Sequence, residues 1–338
     1  MQFSFSLTPT MDLNDYAGFV ERAQSWGFDM IWCPDQGFLR DPFVALARIA
    51  ATTTIPLGLA VTNPYARHPI QIARAAASLA DFRKGEFILA LGAGELARMR
   101  RKMGAPEAPL VPTLRDTITT LRRLFAGETV SIANPVFKLD EIGLGFKPTS
   151  PIPIYVASTS PEAFALAGEL ADGVIVGDVA SPAAMREIVR TVHEGARKAG
   201  RDPNSIKVVA WVSTLVTTQR SAVYEMLRLP VIGRAASNTA RQTRQWLDIP
   251  ETSFAALKSA LQTNQKSISP EIVPDSLIDA MSLVGTAEEI ASRVRALEDE
   301  GVHMIGCRMP AALADDYDFE TNIRAIAEQV IPHARKEA

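Results

Sequence analysis

The chain has 338 residues, 47% of them hydrophobic and 22% charged, with a net charge of −3. That is ample apolar material for a sizeable core, and a faintly acidic balance without a long basic run argues against nucleic acid as a partner. The two cysteines, Cys33 and Cys307, form no CxxC and no disulfide framework, and no stretch is long and apolar enough to span a bilayer.

The first segment, 2–7, alternates and is rich in Phe and Ser, which predicts a strand. A helix follows over 12–26, with Tyr16, Phe19, Val20 and Ala23 on one face and Gly27 as its stop. The opening residues contain no basic stretch followed by an apolar run, so a cytoplasmic location is expected, with no membrane partner. Residues 30–33 read as a second strand, broken by Pro34-Asp35-Gln36-Gly37. Asp41-Pro42 then opens a helix, with Asp41 as N-cap and Pro42 at the first helical position.

The stretch 56–95 is the centre of the pattern. An apolar run over 56–61 stops at Thr62-Asn63-Pro64, and a second run over 86–91 stops at Gly92-Ala93-Gly94-Glu95. Between them Ile70, Ala73, Ala77 and Ala80 recur at helical spacing, and His68 before Pro69 reads as a helix-entry residue. This is a β–loop–α–β unit with polar residues just past both strand ends. In a parallel barrel those ends open on one face, where ligands bind.

A basic segment over 98–102 and a Pro-containing loop come next, then a helix over 113–125 stopped by Gly127. Residues 129–146 look like a hairpin excursion around Asn134-Pro135. A fifth strand over 152–157 precedes a helix opened by Ser160, and a sixth over 173–176 ends at Gly177-Asp178. A helix over 182–199, capped by Ser181 and stopped by Gly200, leads to a seventh strand over 206–217. Residues 221–282 break the rhythm and read as an inserted helical region of the same domain. Thr286 with Glu289 forms a capping box, an eighth strand is expected over 302–307, and a last helix over 319–331. Eight strands alternating with helices predict an α/β fold, a (β/α)8 TIM barrel with a helical insertion after the seventh strand. An open doubly wound sheet is the alternative.

The mouth of such a barrel would collect Pro34-Asp35-Gln36, Thr62-Asn63, Gly92 to Glu95, Ser158-Thr159-Ser160, Gly177-Asp178 and Arg308. No histidine pair stands at metal spacing, and there is no GxSxG or Ser-His-Asp set, so hydrolysis by a zinc ion or a nucleophile is poorly supported. Ser158, Thr159 and Ser160 at a helix start suit an anion such as a phosphate, with Gly177 letting the next loop approach; the plainer reading is that Ser160 caps the helix. Gly92-Ala93-Gly94-Glu95 lacks the spacing of a dinucleotide fingerprint. It is either a tight turn with Glu95 at a helix N-terminus or a loop giving backbone access to a flat ligand, with Glu95 as acid or base.

These segments resemble the bacterial-luciferase-like family of flavin- and deazaflavin-dependent oxidoreductases, and within it the methylenetetrahydromethanopterin reductases. The resemblance rests on LGLAVTNPYARHP from Leu57, ILALGAGE from Ile88 and DSLIDAMSLVGTAEEI from Asp275. It implies a TIM barrel holding coenzyme F420 (a deazaflavin) or FMN without a covalent bond, and hydride transfer between the ring and a small organic substrate. It also implies a bulge with a non-proline cis peptide at Ala60-Val61 behind the ring. The expected cofactor contacts are Asp35, Gln36, Ala60, Val61, Thr62, Asn63, Gly92, Gly94, Ser158, Thr159, Ser160 and Gly177, with Glu95 as the catalytic residue, no metal and a homo-oligomeric assembly. An FMN monooxygenase and a cofactor-free small-molecule binder are the alternatives.

Overall fold

Eight parallel strands pair in a ring in the computed structural model, which describes residues 1–8, 12–83, 85–94, 96–310 and 313–335. The first half runs β1 (Gln2–Ser6), α1 (Leu13–Ala23), β2 (Met30–Cys33), α2 (Pro42–Ala50), β3 (Leu57–Thr62), α3 (Pro69–Phe82), β4 (Phe87–Gly92), α4 (Leu96–Met103) and α5 (Leu110–Phe125). A two-stranded antiparallel hairpin, β5 (Val130–Ala133) and β6 (Lys138–Ile142), follows. The second half runs β7 (Ile154–Ser158), α6 (Pro161–Leu170), β8 (Gly173–Gly177), α7 (Pro182–Lys198) and β9 (Lys207–Val216). An excursion of short helices comes next: α8 (Arg220–Leu227), α9 (Arg234–Asn238), α10 (Arg241–Trp246), α11 (Glu251–Gln262) and α12 (Asp275–Met281). The chain re-enters through β10 (Ser282–Gly285) and α13 (Ala287–Asp299), reaches β11 (Met304–Arg308), and ends with α14 (Phe319–Ala325) and α15 (Ile331–Arg335).

The ring order is β1-β2-β3-β4-β7-β8-β9-β11, closed by β11 against β1. It is a TIM barrel, and the open-sheet alternative is excluded by that closure. The strands are apolar on both faces because helices cover the outside and side chains fill the inside. Alternate residues divide accordingly: Ile31 and Cys33 pack outward with the helices, while Met30 and Trp32 point into the barrel with Ala60, Ile88, Ala90, Tyr155, Ile175, Val209 and Met304.

Local signals are realised where they were strong. Asp41 accepts from the Phe43 amide at 2.9 Å, and Pro42 starts α2. Gly27 and Gly200 take left-handed φ values of 85° and 70° after their helices. The Thr286–Glu289 box is formed in both directions. His68 caps α3 through Nδ1, 3.3 Å from the Ile70 amide.

Three elements depart from expectation. The basic segment after β4 is a helix, α4, whose single buried side chain is Met99; one apolar anchor among four cations leaves almost no periodic signal. Helix α5 starts at Leu110, three residues early, because Pro112 falls in its first turn, where a missing N–H costs nothing. The excursion ends in a ninth parallel strand, β10, which pairs with the far end of β9 and is too short for a period to register. Arg228, with its side chain 3% exposed, closes the excursion on itself: it pairs with Glu225 and Asp275 at 2.8 Å each and donates to the Val273 carbonyl. Among the described residues no helix is long and apolar enough to cross a membrane.

Gly58 on β3 faces the barrel interior against the Trp32 ring, and a Cβ there would run into that ring and sit 2.9 Å from Met30 Cε. Gly58→Ala is expected to cost about 1–3 kcal/mol or more by overpacking. Gly145→Ala, where a Cβ meets nothing within 4 Å, is the control. Equal denaturant midpoints for the two variants would contradict the packing described.

Candidate active site

On β4, β7 and β8 the inward positions grow smaller toward the C-terminal ends, while on β9 Val209 gives way to Trp211. Beneath lie Trp32, whose indole N–H donates to Ser4 Oγ at 3.0 Å, and Tyr155. Above them stand Val61, Gly92, Ala157 and Gly177 at the ends of β3, β4, β7 and β8. Val61, Ala157, Gly177 and Trp211 are half-buried, so this layer, the floor of the mouth, is partly reached by solvent. The floor is tight: a Cβ on Gly92 would lie 2.7 Å from the Ala157 carbonyl oxygen and 3.3 Å from Val61 Cγ1.

The Ala60–Val61 peptide is cis, and the register of β3 against β4 shifts between Ala60 and Thr62. This is the bulge the family resemblance implied. The Thr62 hydroxyl at the end of β3 donates to Asp35, in the loop after β2, at 2.8 Å. Asp35, with its side chain 8% exposed, also receives Arg67 Nε at 3.3 Å and the Gly37 amide at 3.2 Å. Arg67 bridges on to Asp41 at 2.8 Å. Asn63 is buried; its Oδ1 accepts the Tyr65 and Ala66 amides at 3.1 and 3.0 Å, and its Nδ2 faces Met99 sulfur at 3.6 Å. The side chains of Asp35, Thr62 and Asn63 are thus engaged in holding the β2 and β3 loops, and Gln36 beside them is half-buried. Tyr65 donates to the Ala108 and Pro109 carbonyls and so anchors the loop after α4.

After β7 Ser160 caps α6, accepting from the Ala163 amide at 3.4 Å, while Ser158 Oγ accepts the Ser160 amide at 3.0 Å. Thr159 is covered by the excursion: its carbonyl accepts from Thr243 at 2.9 Å and its hydroxyl meets the Asn238 carbonyl at 3.5 Å. Gly94 is exposed with φ 53°, next to Asn63. Glu95 lies outside the described residues.

The structure adds a charged pair that sequence reasoning placed in the mouth without giving it a role. Arg308 at the end of β11 donates to Asp178, which follows Gly177 with φ 56° and gives its own amide to the Trp211 carbonyl at 2.9 Å. Arg308 is 31% exposed as a side chain, yet its Nε is buried without a partner among the described residues. Burial pushes this guanidinium down to about 10, so it stays charged at neutral pH. An Arg308–Asp178 ion pair with one unspent donor therefore stands at the edge of the floor. Asn238 and Thr243 are also new to the site; their spacing from Thr159 along the chain left no local signal.

Among the described residues no group of three His, Cys, Asp or Glu side chains is placed to hold a metal. Both cysteines are buried, and burial raises their thiols, that of Cys307 to about 12, which keeps them protonated at neutral pH.

Comparison with known proteins fits this arrangement. The family model for luciferase-like monooxygenases matches residues 2–304. A 5,10-methylenetetrahydromethanopterin reductase from Methanolobus tindarius is 29% identical over 98% of this chain and 100% of its own. An F420-dependent glucose-6-phosphate dehydrogenase from Nakamurella multipartita is 25% identical over 95% of this chain and 93% of its own. Among solved structures, the coenzyme F420-dependent tetrahydromethanopterin reductase from Methanopyrus kandleri superposes with a TM-score of 0.84 at 23% identity, covering 99% of both chains. With the family model spanning nearly the whole barrel, the chain belongs to the luciferase-like monooxygenase family.

Proposed function

We propose that this protein is a deazaflavin-dependent oxidoreductase that binds coenzyme F420 without a covalent bond and passes a hydride between the cofactor and a small organic substrate. The observation that carries the reading is the floor of the mouth. Val61, Gly92, Ala157 and Gly177 form a surface of small residues, closely packed around Gly92 and partly exposed, on which a planar ring can rest. The relatives named as F420-dependent support the choice of cofactor.

The bound cofactor supplies the hydride chemistry; the chain supplies position, charge and exclusion of water. In this reading Ala60 and Val61 back the ring, and Gly92 and Gly94 let backbone approach its edge. The Asp35–Thr62–Arg67 network fixes the end of β3, with Asn63 and Gln36 alongside. Ser158, Thr159, Ser160 and Gly177 lie nearest the phosphate. Arg308, paired with Asp178, keeps its Nε as a spare donor at the rim. Glu95 is the proton donor or an electrostatic partner. The same reading places the protein in the cytoplasm, where its free cysteines stay reduced, as a homo-oligomer. Helices α2 and α3 pack side by side and leave Val44 and Phe82 exposed by 56% and 60%; light scattering should give more than one subunit, and a monomer would remove this part.

The family's description supports a second reading, an FMN monooxygenase. Titration with each cofactor, followed by fluorescence, separates the two. Tight F420 binding with weak FMN binding is expected; tight FMN binding with oxygen consumption by reduced FMN would favour the monooxygenase. A colourless protein that takes up neither would leave a cofactor-free binder. For Glu95, Glu95→Gln is expected to keep cofactor affinity while turnover falls by about a hundredfold or more, the scale of general acid–base catalysis. Unchanged turnover would leave Glu95 with only a helix-terminus role, worth about 0.3–1 kcal/mol of stability.

A further inference from the structure

Outside the floor, a second concave feature lies beside the Thr159 rim. Arg101 on α4 faces Arg234 and Asn238 on α9, and Leu261, Asn264 and Gln265 at the end of α11, across an open groove of about 600 Å³. Its lining contains two cations and three amides and no carboxylate. Neighbouring arginines are engaged: Arg100 pairs with Glu107 at 3.2 Å, Arg98 lies over the Phe38 ring, and Arg244 packs on Phe254 and reaches Glu251 at 3.5 Å. Arg101 and Arg234 have no hydrogen-bond or ion-pair partner among the described residues. Two like charges brought together from distant parts of the chain, without a counter-charge among the described lining residues, form a surface complementary to an anion.

The groove adjoins the rim of the mouth at Asn238. Asn238 lines it and, through its carbonyl, meets the Thr159 hydroxyl at the rim. A ligand with its ring on the floor and its phosphate near Ser158–Ser160 would leave the mouth toward Arg101 and Arg234. A single phosphate would end at the rim. A groove with two separated cations and three amides suits a longer extension bearing several carboxylates.

We propose that this groove is an anion subsite for a carboxylate-bearing tail, the kind that continues beyond the phosphate in coenzyme F420 and is absent from FMN. The inference rests on the function proposed above and extends it, because it assigns cofactor choice to residues far from the ring. Amides and guanidinium groups would grip the tail through charge-assisted hydrogen bonds that weaken with salt.

The test is a fluorescence titration of the wild type, Arg101→Gln, Arg234→Gln and the double variant with three probes: coenzyme F420, the tail-less and phosphate-free deazariboflavin, and FMN. Both side chains are exposed, and matching melting curves would verify that the variants fold. The expected result is a loss of roughly 10-fold per substitution for F420, more in the double variant, with deazariboflavin and FMN unchanged. The wild-type preference for F420 over deazariboflavin should also shrink as salt rises. Undiminished F420 affinity in the double variant, or an equal loss for all three probes, would overturn the subsite while leaving the proposed function standing. A wild type that binds neither deazaflavin would overturn both.

Discussion

The structure depends on how the barrel interior is filled. Trp32 occupies the middle of the ring, with its N–H satisfied by Ser4 and its ring accommodated only because Gly58 carries no side chain. With the volume below taken by Trp32 and Tyr155, β4, β7 and β8 can end in small residues without leaving a void. The floor at Val61, Gly92, Ala157 and Gly177 is therefore a consequence of packing beneath it. On these strands large inward residues lie below and small ones above.

The rim of that floor is built from polar contacts between loops. Asp35 gathers Thr62, Arg67 and the Gly37 amide, so the β2 and β3 loops hold one another. After β7, Thr159 is gripped by the excursion through Asn238 and Thr243, and Asp178 is held by Arg308. Polar side chains that look free in the sequence are mostly spent on positioning. Among the described residues, groups left with capacity at and beside the mouth include the Arg308 Nε, the Ser213 hydroxyl in register with it on β9, and Arg101 and Arg234 in the outer groove. That division separates a floor of small residues from two cations in the groove outside it.

What the sequence made legible follows from the range of its signals. Parallel strands buried on both faces read as apolar runs, and helices announce themselves through caps such as Asp41, Ser160, Ser181 and Thr286, so the eight barrel strands and their order were accessible. The family motif placed the bulge at Ala60–Val61, which periodicity alone could not do. Contacts across long stretches of chain were not accessible. Nothing near Thr159 indicates that Thr243 will donate to its carbonyl, and nothing in SLVG shows that β10 will extend β9. Helix α4 was hidden because Met99 is its only buried residue. The site was thus legible as a set of strand ends, while the partners that spend or spare each side chain emerged only in three dimensions.

The central claim is that the small-residue floor at the C-terminal ends of β3, β4, β7 and β8 is the seat of a planar redox ring. A crystal structure of the protein with bound coenzyme F420 tests it most directly. The account predicts the deazaflavin ring lying on Val61, Ala157 and Gly177 and in contact with the Ala60–Val61 bulge. A ring bound elsewhere, with that floor covered by the protein's own side chains, would contradict it.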